Sequence, residues 1–371
     1  MTRVAYLVHN LADAAVGRRV TMLRAAGADV TVAGFCRDAH PPREVAGAPA
    51  RSLGRTHDAA LRQRAQQVLA NRMRPTQLLR AVAGADVIVA RNLEMLALAA
   101  FAKRRAGVPR LVYESLDIHR SLLGQKPAHR AMRAVERMLM RRADLLLSSS
   151  PAFLRDYFEP IQRLAGPSLL VENKLLRLDG ALPEPIVPPV GPPWRIGWFG
   201  NLRCARTLET LAGIAEQADG AIEILIAGKA SPAEFPDFAE QVKRPHLRYH
   251  GPYTPDDLPQ LYGLCHFAWA IDYFEEGLNS SWLLPNRLYE AASAGAVPIA
   301  LETVETGRWL AAHDAGLLLR PGGERTALLD RLAALGAADY AAMRDRIAAI
   351  PRGDLIADLG DCQALLRAVA G

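Results

Sequence analysis

Cysteine is scarce in this 371-residue chain: Cys36, Cys204, Cys265 and Cys362 lie far apart and form no CxxC pair or Cys/His cluster. That excludes a disulfide framework or a structural zinc and predicts a reducing, cytoplasmic setting. Long apolar runs are missing too. No stretch approaches the roughly 20 apolar residues of a membrane span, so the chain is expected to be soluble or at most peripheral. The opening residues hold an apolar run of only five before His9 and Asn10, which predicts a first buried strand and not a signal peptide. No DxD follows an apolar strand and no His/Asp cluster has metal-ligand spacing, so no metal is expected. Neither an aromatic RNP-like pattern nor a helix-turn-helix is present, which speaks against a nucleic-acid partner. Gly197 and Gly200 do not complete GxGxxG, and a dehydrogenase is disfavoured.

What is present fits a folded protein of two domains. Half of the residues are hydrophobic and 23% are charged, an ordinary globular balance. The net charge of +6 is unevenly spread: residues 1–180 carry 29 Lys+Arg against 15 Asp+Glu, and residues 181–371 carry 16 against 24. A basic half suggests a polyanionic partner, either nucleic acid or an anionic membrane surface. Leu182–Pro193 contains six prolines, can neither propagate a helix nor donate regular sheet bonds, and reads as a stiff linker. Short apolar runs alternate with helical patterns on both sides of it. Before it come Val4–Val8, Val30–Phe35, Val87–Ala90, Arg110–Glu114 and Leu145–Ser148. After it come Arg195–Phe199, Ile222–Ala227, Leu247–Tyr249, Phe267–Ala270 and Val297–Ala300. This alternation predicts an α/β chain of two Rossmann-like domains, with parallel sheets facing a cleft and ligands at the carboxyl ends of the strands. The expected boundaries are 1–180, a linker at 181–193, 194–352, and a C-terminal amphipathic helix at 353–371 that can cross back to the first domain.

Two segments point to phosphate. Gly200, Asn201, Arg203 and Arg206 follow the first strand of the second half and open a helix. A glycine at a strand end lets a ligand approach the backbone, a helix N-terminus favours anions, and guanidinium groups suit phosphate oxygens. Further on, Pro285 stands at a helix start, with Asn286 and Arg287 behind it and Glu290 one turn on. A cation for a diphosphate and a carboxylate for ribose hydroxyls, one turn apart, would make a nucleotide clamp. An ordinary surface Arg–Glu pair would look the same.

The order FGNLRCAR, IAG (Ile226–Gly228), YHG (Tyr249–Gly251) and PNRLYEAASAGAVPI resembles the GT-B glycosyltransferases of group 1, similar to family 4 and to bacterial exopolysaccharide enzymes of the xanthan- and succinoglycan-assembly type. The resemblance runs through residues 194–320, extends to 1–35 and 86–150, and fades over 40–80. It implies a nucleotide-sugar donor, UDP by preference, with Gly200, Arg206, Gly228, Arg287 and Glu290 as donor residues and His250 and Gly251 at the base-contacting loop. The nucleotide-sugar would be a substrate, so no cofactor is expected. Retaining relatives carry an acid eight residues before the residue matching Glu290. Here that position is Trp282, with Glu275 and Glu276 further upstream, which tilts the expectation toward inversion. A UDP-sugar 2-epimerase, or a catalytically silent nucleotide-binding protein, would share the two-domain plan.

Inversion needs a base. The strand Leu111–Glu114 ends among acids, and the resemblance places Asp117 at the family's "HD" region, with Leu116 in place of the histidine. Asp117 is the expected base and Glu114 the second choice, although both acids could instead pair with Arg91 or Arg120. His9, Asn10 and Asp13 occupy the acceptor loop. Arginines 51, 55, 62, 64, 72, 74 and 80 among apolar residues, and Arg130, Arg133, Arg137 and Arg141 on one helix face, suit an anionic inner-leaflet surface. The acceptor expected there is a polyprenyl-diphosphate-linked glycan.

Overall fold

The computed structural model describes residues 1–57 and 61–371, the side chains of Leu61 and Arg62 excepted; Arg62 of the basic segment thus lies outside the described side chains. The chain folds as two units: Met1–Glu172 together with Ala357–Gly371, and Asn173–Ile356.

In the first unit, β1 (Arg3–Val8), β2 (Asp29–Cys36), β3 (Glu44–Val45), β4 (Ala48–Arg55), β5 (Val87–Arg91), β6 (Arg110–Ser115), β7 (Leu145–Ser148) and β8 (Ser168–Leu170) form one sheet. Their spatial order is β3-β4-β2-β1-β5-β6-β7-β8. The central strands are buried on both faces, which is why they read as unbroken apolar runs and not as alternating ones. All pairs are parallel except the edge hairpin β3–β4, whose turn residues Ala46 and Gly47 sit at φ 47° and 72°. Positive φ at both turn positions matches the twist of a two-residue hairpin. The C-terminal helix Leu359–Ala370, opened by an Asp358/Asp361 capping box, belongs to this unit. It packs against the Ala14–Ala25 helix, and Arg110 caps its last carbonyls, at Val369 (2.8 Å) and Ala368 (2.9 Å).

In the second unit a two-residue strand, β9 (Leu175–Leu176), precedes β10 (Trp194–Leu202), β11 (Ile222–Ala230), β12 (Leu247–Gly251), β13 (Phe267–Trp269), β14 (Val297–Leu301) and β15 (Leu317–Leu319). The last six make a parallel sheet in the order β12-β11-β10-β13-β14-β15. Its core holds Trp194, Ile196, Trp198, Ile224, Phe267 and Ile299, and the Trp194 indole donates to the Leu332 carbonyl at 3.1 Å. The proline-rich segment is not a free linker between units. It lies within the second unit, where His266 Nε2 bonds the Pro189 carbonyl at 2.9 Å. The division instead falls at Glu172/Asn173. Proline lacks a donor but keeps its carbonyl, so the segment can be strapped down by a side chain without joining a sheet.

Candidate active site

In the second unit the strand order reverses between β10 and β13, and parallel sheets leave a crevice at the carboxyl ends of such a pair. Residues at and after the ends of these two strands carry the candidate site. Gly200, at φ 124°, has nothing within 4 Å of where a Cβ would stand, so the space over its backbone is open. Its register partner Gly228 is its opposite: a methyl there would meet the Gly200 carbonyl oxygen at 1.9 Å. The Tyr249 hydroxyl donates to the Gly228 carbonyl at 2.8 Å, and Gly251 at the end of β12 pairs with Ala227. Asn201 and His250 are exposed at the same strand ends.

Three arginines come together here from two helices. The Ala205–Gln217 helix, which has no side-chain cap, carries Arg206 in its first turn, and Arg203 lies just before it. Arg287 is the second residue of the Asn286–Ser293 helix, likewise without a side-chain cap. Asp272, in the loop after β13, is the shared counter-charge: its Oδ2 lies 3.8 Å from Arg203 Nη2 and 4.0 Å from Arg287 Nη2. Arg206 pairs with Glu276, approaches Glu324 at 3.9 Å, and stacks over Tyr273 with its guanidinium carbon 4.0 Å from the ring centroid. Arg203 lies over Phe274 at 4.8 Å. Glu290 faces Tyr253; burial, followed by the Glu290 charge, pushes the Tyr253 hydroxyl up to about 12. Sequence reasoning missed Asp272, Tyr273, Phe274 and Glu324. The run Ile271-Asp-Tyr-Phe-Glu-Glu276 directly after an apolar strand was the signal available for the first three; Glu324 offered none.

In the first unit, the carboxyl ends of β1, β5 and β6 hold a second charged cluster. Glu114 is fully buried. It accepts from Arg19 Nε at 2.6 Å, from Arg91 Nε at 3.1 Å and from the Tyr6 hydroxyl. Burial alone would raise its pKa, but the Arg91 and Arg19 guanidiniums hold it down at about 2. This corrects the choice of Glu114 as second base: an enclosed carboxylate with so little proton affinity is a counter-ion. Of the two partners weighed for it, Arg91 is the real one.

Asp13 caps the Ala14–Ala25 helix through Ala15 N (2.9 Å) and stands 3.5 Å from His9 Nε2 and 3.8 Å from Arg91 Nη1. Asn10 is buried, its Oδ1 accepting from Ala12 N at 3.3 Å. Burial lowers the His9 pKa to about 4, with Arg91 adding to the effect and Asp13 opposing it. His9 Nδ1 and both Nη atoms of Arg91 are buried without a hydrogen-bond partner, a debt that a ligand oxygen could settle. Asp117 is exposed in the loop after β6. Ser115 Oγ reaches its carbonyl at 3.4 Å and Ser149 Oγ holds the Leu116 carbonyl at 2.9 Å, so neighbouring hydroxyls fix the loop.

Known proteins resemble the chain in sequence and in fold. A glycosyl transferase 4-like domain matches residues 12–165. The succinoglycan biosynthesis protein ExoL of Rhizobium meliloti (strain 1021) is 43% identical over the whole of this chain and 94% of its own length. The chain belongs to the family 4-like glycosyltransferases. Among solved structures, Anabaena HepE in complex with UDP superposes with a TM-score of 0.71 at 16% identity, covering 99% of both chains. Sucrose-phosphate synthase from Thermosynechococcus elongatus gives 0.68 at 16%, covering 100% of this chain and 96% of its own. These likenesses establish the GT-B fold of the glycosyltransferase. Among its described residues no group of three His, Cys, Asp or Glu is placed to hold a metal ion, and no helix is long and apolar enough to cross a membrane.

Proposed function

We propose that the glycosyltransferase moves a hexosyl group, of glucose or glucuronate type, from a UDP-sugar to a polyprenyl-diphosphate-linked oligosaccharide in exopolysaccharide assembly. The observation that carries this reading is the convergence of Arg203, Arg206 and Arg287 at the strand-order reversal, beside open backbone at Gly200. Guanidinium forks and helix N-termini supply the positive charge that a departing nucleoside diphosphate needs, so transfer proceeds without a divalent ion. Support for UDP comes from the HepE complex, and support for the exopolysaccharide role from the name of the ExoL relative.

In this scheme Asp117 takes the acceptor hydroxyl proton, the freed oxygen attacks the anomeric carbon, and UDP leaves with the bonding electrons. Trp282 at the position of the upstream acid favours inversion. Glu290 holds the ribose hydroxyls, while His9, Asn10, Asp13 and Arg91 face the acceptor. The basic helices of the first unit seat the enzyme peripherally on the inner face of the plasma membrane, where this acceptor is presented.

A thermal-shift panel of UDP-, GDP- and TDP-sugars with and without EDTA tests the core of the reading. Stabilisation by a UDP-sugar, unchanged by chelator, is the expected result. No shift with any of them, or a shift that needs magnesium, overturns it. Arg287 is half-enclosed, and its ion-pair partner Asp272 stands at the limit of pairing distance. Arg287→Gln is therefore expected to weaken UDP-sugar binding by about ten- to a hundredfold, the worth of a charged hydrogen bond, as read by calorimetric titration.

A further inference from the structure

A cavity of about 350 Å³ lies at the amino-terminal ends of β7 and β8, the edge of the sheet away from Glu114 and Asp117. Arg137 and Arg141, at the end of the Pro127–Met140 helix, line it together with Gln162, Arg163, Met140 and Leu164. No ion-pair partner is found for any of the three arginines among the described residues. Arg137 gives Nη2 to the Ile161 carbonyl at 2.6 Å, but its Nε is buried and unbonded. Gln162 is 1% exposed. Its Nε2 bonds the Glu136 carboxylate and the Tyr157 hydroxyl, which leaves Oε1 buried and without a donor.

Three guanidiniums lining one cavity repel each other unless an anion lies among them. Their planar forks match phosphate oxygens better than they match a chloride or a single carbonyl. The orphaned Gln162 Oε1 adds a demand for a donor, which a phosphate bearing a hydroxyl meets. The Glu136 carboxyl oxygens are already taken up by hydrogen bonds from Tyr113, Tyr157 and Gln162.

We propose that this cavity is a second anion site that binds a phosphate ester carrying a hydroxyl donor. It is separate from the donor residues and from the acceptor-side cluster, and it does not depend on the reading of either. Such a phosphate has two sources, a phospholipid headgroup or a free phosphate ester.

The test uses the full chain and two double variants that remove the same charge. Arg141→Ser/Arg163→Ser empties the cavity wall, and Arg74→Ser/Arg80→Ser removes exposed arginines elsewhere on the unit. Each is titrated with inorganic phosphate and glycerol 3-phosphate, and sedimented with phosphatidylcholine vesicles with and without phosphatidylglycerol. Unchanged thermal stability and UDP-sugar response control for folding. The expected result is a loss of about tenfold or more in affinity in the cavity variant, against a smaller loss, seen with phosphatidylglycerol vesicles alone, in the Arg74/Arg80 variant. If the loss is seen with glycerol 3-phosphate, the source is soluble; if it is seen only with phosphatidylglycerol vesicles, the source is the lipid. Equal weakening by both double variants would mean dispersed charge alone and would overturn the site, while leaving membrane attachment standing. The site is overturned as well if no probe distinguishes the cavity variant from the unaltered protein.

Discussion

Asp117→Asn is expected to lower turnover by about 10²–10⁴-fold, the usual contribution of a positioned general base, with UDP-sugar affinity unchanged. The substitution keeps the size of the side chain and removes its negative charge and its capacity to take a proton. Asp117 is exposed, and the loop that carries it is tied down through the Ser115 and Ser149 hydroxyls, so the amide should stand where the carboxylate stood. The residues proposed to hold the donor sit on other strands in the other unit, which is why kcat and donor binding should separate. Steady-state kinetics beside donor titration decides the matter. Near-normal turnover would remove Asp117 from the mechanism and leave the cluster around His9 and Arg91 to be searched for the base.

Glu114→Ala is expected to destabilise the first unit by about 3–5 kcal/mol, because breaking a buried ion pair leaves its partner charges uncompensated. Arg19 and Arg91 are 3% and 2% exposed, and both point their Nε at this one carboxylate. Chemical denaturation at neutral pH measures the loss; a change below about 1 kcal/mol, the range of an exposed pair, would mean that the carboxylate does not hold these arginines. Acid should reproduce part of the effect in the unaltered protein. Glu114 is held at about 2 against an ordinary 4.5, so its contribution is complete above 4.5 and disappears as pH falls toward 2. His9 is held at about 4 against 6.5. Its folded form resists protonation, so stability is full above 6.5 and declines as pH falls toward 4. Denaturation midpoints should therefore drop in two overlapping steps below neutrality, and Glu114→Ala should lack the lower one.

The difference between Asp117 and Glu114 shows where sequence reading stops. Glu114 lies near the end of β6 and Asp117 in the loop after it, and from the local sequence either could be a base or a counter-ion. Glu114 became the counter-ion because Arg19, 95 positions earlier, and Arg91, 23 positions earlier, reach it through the packing of β1, β5 and the Ala14–Ala25 helix. The donor side shows the same limit. The spacing of Gly200, Arg206, Arg287 and Glu290 could be read along the chain, but Asp272 could not be matched to Arg203 and Arg287 until β10 and β13 were neighbours.

The alternation of buried strands and helices was legible along the chain, because a strand covered on both faces must be an unbroken apolar run and its helices must show one apolar face. The glycine turn and the arginines at helix starts were legible for the same kind of reason: these depend on backbone freedom and on charge within a few residues. Long-range packing settled that the proline-rich segment straps onto the second unit, that the weakly apolar Ala48–Arg55 extends the first sheet as β4, and which acid neutralises which arginine. Strand order and charge pairing join residues tens of positions apart, and no local periodicity carries that information.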